Sequence, residues 1–155
     1  MNGYSAFSGT SKERGLHLSR SLARESAFKV LFQADLGGAS SEEAFRYLVE
    51  DIPLAGRYLA FARELVEKTL EHVKEIDGYI SKYSPEWPIN RMATVDRNIM
   101  RMAVCEMLYT DTDPVIVIDE AVELAKKYGD ENSSSFINAI LDRIMGEKRE
   151  SLSRD

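Results

Sequence analysis

The segment TVDRNIMRMAVCEMLY, Thr94–Tyr109, is apolar on nearly every side when wound as a helix, through Val95, Ile99, Met100, Met102, Ala103, Val104, Met107 and Leu108. Such a helix is stable only when surrounded, so it predicts a central helix with others packed around it. Glu106 shares the azimuth of Val95, Ile99 and Met102, which places a carboxylate at least partly inside. A group of that kind is either catalytic or paired with an arginine or a helix end, and the paired reading is the commoner one.

The flanking sequence reads as helix after helix. Apolar residues at 23, 27, 30, 31 and 34 form one stripe of a first helix, with Ser19 as its expected cap and Gly37-Gly38 as its stop. The next begins at SSEEAF, where Ser40 and Glu43 have capping-box spacing, and ends before Pro53. A long periodic segment runs from about Leu54 to Tyr83, with Asp77-Gly78 as a candidate bend or division. The connection SPEWP is expected to be a rigid turn with Trp87 as its apolar anchor.

Pro114 opens PVIVIDEAVELAKKYG, where Asp119 and Glu120 come early, Lys126 and Lys127 late, and Gly129 stops the helix, in an order that complements the helix dipole. A last helix starts near Asn132 to Ser134 and runs through FINAILDRIMGEKRE. No strand pair with a hairpin turn is present. With 155 residues, the chain predicts one all-α bundle of about seven helices. Residues 1–18 are expected to be a mobile tail, 19–148 the helical domain, and 149–155 a short C-terminal tail.

Catalytic and metal chemistry find little support. Cys105 lies in the most apolar helix with no histidine near it, and His17 and His72 are far apart, so there is neither an activated thiol nor a zinc-ligand spacing. No GxGxxG or GxxxxGK[ST] motif occurs. The start MNGYSAFSGTSKERG lacks the apolar run of a signal peptide, and nowhere do eighteen apolar residues run together. The expectation is a cytoplasmic protein without enzymatic activity, cofactor or metal.

The net charge of −6 argues at first against a nucleic-acid partner. Its distribution qualifies that. Between Lys12 and Lys29, five basic residues face two acidic ones; from Asp111 to Glu131, seven acids face two lysines. Charge runs are usually solvated helix faces, but this separation also suits a basic end for an anion and an acidic side for a basic partner.

Arg20 and Arg24 fall at the same azimuth as Ala27 and Leu31, so the apolar stripe of the first helix continues backwards into two cations. Beside the positive end of a helix starting at Ser19 they would be unfavourable by ~0.3–1 kcal/mol each. Two guanidinium forks next to free helix N–H groups would make a phosphate site. Pairing with carboxylates, from Glu25 or another helix, explains them equally well. In SSSFINAILD, Phe136 lies at the edge of the apolar face and Asn138 off it. With Ser135 they would stack on and hydrogen-bond an unpaired base, unless Phe136 is peripheral core. Tyr83 carries the same two readings.

Together ARESAFKVLFQADL, IDGYISKYSPEW, VDRNIMRMAVCEMLY, PVIVIDEAVELAKKYG and SSSFINAILD resemble the NusB family of transcription antitermination factors, over about Arg20 to Ile144. The resemblance implies an all-helical fold of two small subdomains and no catalysis. It implies binding to single-stranded boxA RNA jointly with the ribosomal protein NusE, and entry into an RNA polymerase complex that suppresses termination in ribosomal RNA operons. It assigns RNA contacts to Arg20, Arg24, Tyr83, Ser135, Phe136 and Asn138, and a partner surface to Asp96, Arg97 and Arg101. The chain departs from the family pattern at Ser21 and Leu22, where many relatives are basic, at Ser135, where a lysine is frequent, and at Ala139, where glycine is. Two alternatives stay open: a stand-alone RNA-binding module like that of ribosomal RNA cytosine methyltransferases, and a helical protein-binding adaptor. Salt bridges on both Arg20 and Arg24 would favour the adaptor.

Overall fold

A computed structural model describes residues 11–37, 40–51 and 56–154. Among them are seven α-helices: α1 (Ser11–Leu36), α2 (Ser41–Asp51), α3 (Gly56–Glu71), α4 (Val73–Lys82), α5 (Thr94–Tyr109), α6 (Pro114–Tyr128) and α7 (Ser133–Arg154), with a single 3-10 turn at Ile89–Arg91 before α5. The all-round apolar pattern of α5 has the predicted consequence. Its Ile99, Met100, Val104, Cys105 and Met107 are wholly buried, and it packs against α1, α3, α4, α6 and α7.

Helix ends follow from local chemistry. The Ser40 hydroxyl accepts a hydrogen bond from the Glu43 amide at 3.1 Å, and the Asp113 carboxylate accepts one from the Val115 amide at 2.9 Å with Pro114 in the first turn. Gly37 stops α1 with φ +82°, a conformation that costs glycine no steric strain. Gly129 ends α6 for a different reason: its backbone is extended, but a Cβ there would lie 2.8 Å from the Ala125 carbonyl oxygen and 2.5 Å from Ser133 Cβ. The α6–α7 corner can close only over a glycine.

Four expectations are corrected. α1 begins at Ser11, not after a cap at Ser19, so residues 11–18 of the expected tail are helical; residues 1–10 lie outside the described ones. The 54–83 segment divides at His72, between α3 and α4, and Gly78 lies inside α4; Leu54 is outside the described residues. Trp87 is no anchor, being 54% exposed, because the turn is held by its backbone instead: Trp87 N–H donates to Ser84 C=O and Arg91 N–H to Pro88 C=O. Residues 149–154 continue α7.

Candidate nucleic-acid interface

With α1 starting at Ser11, Arg20 and Arg24 stand well inside the helix. The dipole effect fades within the first turn, so neither arginine faces the helix end and no free N–H groups lie beside them. Their two side chains have separate fates.

Arg24 is 3% exposed. Its Nε and Nη2 grip the Glu106 carboxylate at 2.9 and 2.7 Å, while Nη1 lies 3.4 Å from Glu120 Oε1. Burial works against the Arg24 charge, yet the Glu106 hydrogen bonds and the charges of Glu106 and Glu120 outweigh it and hold the guanidinium above its ordinary pKa. Glu106 is therefore the paired carboxylate of α5. Arg24 is corrected from a phosphate ligand to the cation that ties α1 to α5 and α6, since its donors face carboxylates inside the fold. Ser21, at a position where a basic residue was missed, donates its hydroxyl to Glu120.

Arg20 is exposed. Its guanidinium carbon lies 4.9 Å from the centre of the half-buried Phe61 ring of α3, and among the described residues no carboxylate pairs with it. The same ring lies 5.4 Å from the Arg24 guanidinium. Phe61 was not legible as part of this site: one aromatic in an amphipathic helix looks like any other core residue.

The remaining RNA-contact candidates sit on other elements. On α7, Ser135 and Asn138 are exposed and Phe136 is half-buried against the core; the Ser135 hydroxyl donates to the Asn132 carbonyl at 3.2 Å. Tyr83 is half-buried at the end of α4 with the Lys82 ammonium 5.4 Å from its ring centre. They form patches carried by α1, α4 and α7.

The three partner-surface candidates divide likewise. Arg97 donates from Nε to Asp35 Oδ2 at 2.8 Å and from Nη1 to the Ile89 carbonyl at 3.1 Å. Arg101 forms a fork on Asp77, both bonds 2.8 Å, and lies 3.5 Å from Asp35. Asp35 joins the end of α1, and Asp77 the middle of α4, to α5 through these arginines; sequence reasoning missed both. Burial raises the Asp35 pKa, but the Asn98 and Arg97 hydrogen bonds and the two arginine charges bring it below the usual carboxylate range. Asp96 faces elsewhere, towards Ser133 and Asp130 at the start of α7, and is 8% exposed. Among the described residues its Oδ1 has no hydrogen-bond partner; burial raises its pKa, the Ser133 hydroxyl opposes this, and the Asp130 charge adds to it.

No helix among the described residues is long and apolar enough to cross a membrane. Residues 21–146 match the model of the NusB family. The chain is 54% identical over 132 residues to the transcription antitermination protein NusB of Syntrophomonas wolfei, spanning 84% of this chain and 98% of that one. Among solved structures, Thermotoga maritima NusB superposes with a TM-score of 0.74 at 38% identity, covering 83% of this chain and 91% of that one. A structure of the antitermination factors NusB and NusE in complex with double-stranded RNA gives 0.76 at 34% identity, covering 83% and 97%. The buried core of α5, the α1 stripe and the α6–α7 corner thus belong to a shared architecture, and the chain is a member of the NusB family.

Proposed function

We propose that this chain is a cytoplasmic transcription antitermination protein that binds boxA RNA jointly with the ribosomal protein NusE and enters an RNA polymerase complex that suppresses termination. The observation that carries this reading is the 54% identity to an antitermination protein over nearly its whole length, supported by the likeness to a NusB–NusE–RNA assembly. The geometry refines it. Arg20 is the phosphate ligand of α1, without Arg24; Phe136 stacks on a base with Ser135 and Asn138 beside it; Tyr83 contributes a second aromatic edge. Arg97 and Arg101 line the surface for NusE, where their ion pairs with Asp35 and Asp77 present a fixed charge pattern, while Asp96 is buried behind it against the start of α7.

With Ser21 and Leu22 where many relatives are basic, and Arg24 paired inside the fold, the phosphate contribution of this part of α1 is small and the protein depends on NusE for affinity. The adaptor reading asked for both arginines to be paired internally, and only Arg24 is. The test is binding of boxA and scrambled RNA to this chain with and without purified NusE. Cooperative binding selective for boxA is expected; equal binding to both sequences in the presence of NusE would overturn the reading.

A further inference from the structure

We infer that Phe61 is the positioning residue of the RNA site, a platform that holds the Arg20 guanidinium flat and ready for a phosphate; this rests on the proposed role of Arg20. A cation resting on an aromatic face is held by the ring quadrupole, worth most where water is partly excluded. Stacking engages the face of the guanidinium, whereas hydrogen bonding to phosphate uses the N–H groups at its edge. Phe61 therefore restrains Arg20 without occupying its donors, as a carboxylate would. The ring is itself restrained, half-buried on α3 and flanked by Arg24, whose position is set by Glu106 and Glu120. Order at the interior ion pair is passed through one ring to Arg20, the exposed arginine one turn before Arg24. Preorganisation of this kind reduces the entropy lost on binding a long, flexible side chain.

The experiment is a double-mutant cycle on boxA RNA affinity, measured with NusE present, using Arg20→Ala, Phe61→Leu and the double variant, with Phe61→Tyr as the conservative replacement. Phe61→Leu is expected to weaken binding about three- to fivefold while leaving its salt dependence unchanged, because the phosphate contact still forms. Phe61→Tyr should bind as the wild type does. In the Arg20→Ala background, Phe61→Leu should have no further effect. A Phe61→Leu loss that persists there, or no loss at all beside a weakened Arg20→Ala, would overturn the platform while leaving the RNA site intact. Unchanged RNA affinity in Arg20→Ala would overturn the site and the platform together. If Phe61→Leu does not fold, Phe61→Met serves in its place, and the ring-current shift of the Arg20 Nε–H resonance, expected in the wild type and lost in the variant, gives an independent readout; its absence in the wild type would refute the stacking.

Discussion

Arg20 and Arg24 are one turn apart on α1, share an aromatic ring, and belong to different parts of the molecule's chemistry. Around Arg24 three helices converge, the side chain is buried, and two carboxylates fill the guanidinium fork. Around Arg20 the described contact is the Phe61 ring of α3, which meets the face of the guanidinium and not its donors. What differs is the depth at which neighbouring helices cross α1. A residue's face on a helix follows from its position in the sequence, whereas its depth is set by the elements packed against that helix.

The largest expected effect comes from breaking the interior side of this comparison. Arg24→Ala leaves Glu106 buried and uncompensated, and should lower the unfolding free energy by about 3–5 kcal/mol in denaturant titration. Replacing both partners, Arg24→Met with Glu106→Leu, should recover most of that loss, since buried pairs are often no better than apolar residues of similar volume. If Arg24→Ala were as stable as the wild type, the interior assignment would fail.

Phe136→Ala sharpens the exposed side. Loss of base stacking should weaken boxA binding by about 1–3 kcal/mol with little change in salt dependence, as measured by fluorescence anisotropy over a salt series. Asp96 is the instructive contrast with Glu106, a buried carboxylate with which no cation pairs among the described residues. Its folded-state pKa is held above the unfolded value by burial and by Asp130, so the native state binds more protons between the two values and the contribution of Asp96 to stability declines as pH rises through that window. Asp96→Asn should therefore be more stable than the wild type at neutral pH, with the difference disappearing below the ordinary carboxylate range. Asp35, whose pKa is lowered, has the opposite sign: its contribution is present above the unfolded carboxylate value and lost as pH falls through the folded one. Thermal unfolding across pH separates the two.

Much of the fold was legible because the signals were local. Pro114 with Asp113, Ser40 with Glu43, and the apolar girdle of α5 each specify structure within a few residues. The pairing of Glu106 was legible too, since a carboxylate on an apolar azimuth is most often paired with an arginine or a helix end. Its partner was not. Arg20 and Arg24 offered the same face, and choosing between them needs the crossing points of α3, α5 and α6. The start of α1 was misread for a related reason: the apolar stripe marks where a helix meets the core, and α1 extends about three turns beyond that stripe. Trp87 was placed inside on its residue type alone, although the turn around it closes through backbone hydrogen bonds. Helical spacing placed Phe136 at the edge of the α7 apolar face and Asn138 off it, as their half-buried and exposed positions reflect, whereas the Phe61 contact is tertiary and left no mark in the sequence.

The central claim is that Arg24 holds the fold together while Arg20 is reserved for phosphate, and one variant tests it most directly. In Arg20→Ala, unfolding free energy and the salt dependence of boxA binding with NusE are measured on the same preparation. Stability is expected to stay within about 0.5 kcal/mol of the wild type, while the slope of log affinity against log salt becomes shallower by about 0.7, one phosphate contact on single-stranded RNA. An unchanged slope, or a loss of stability approaching that of Arg24→Ala, would contradict the account.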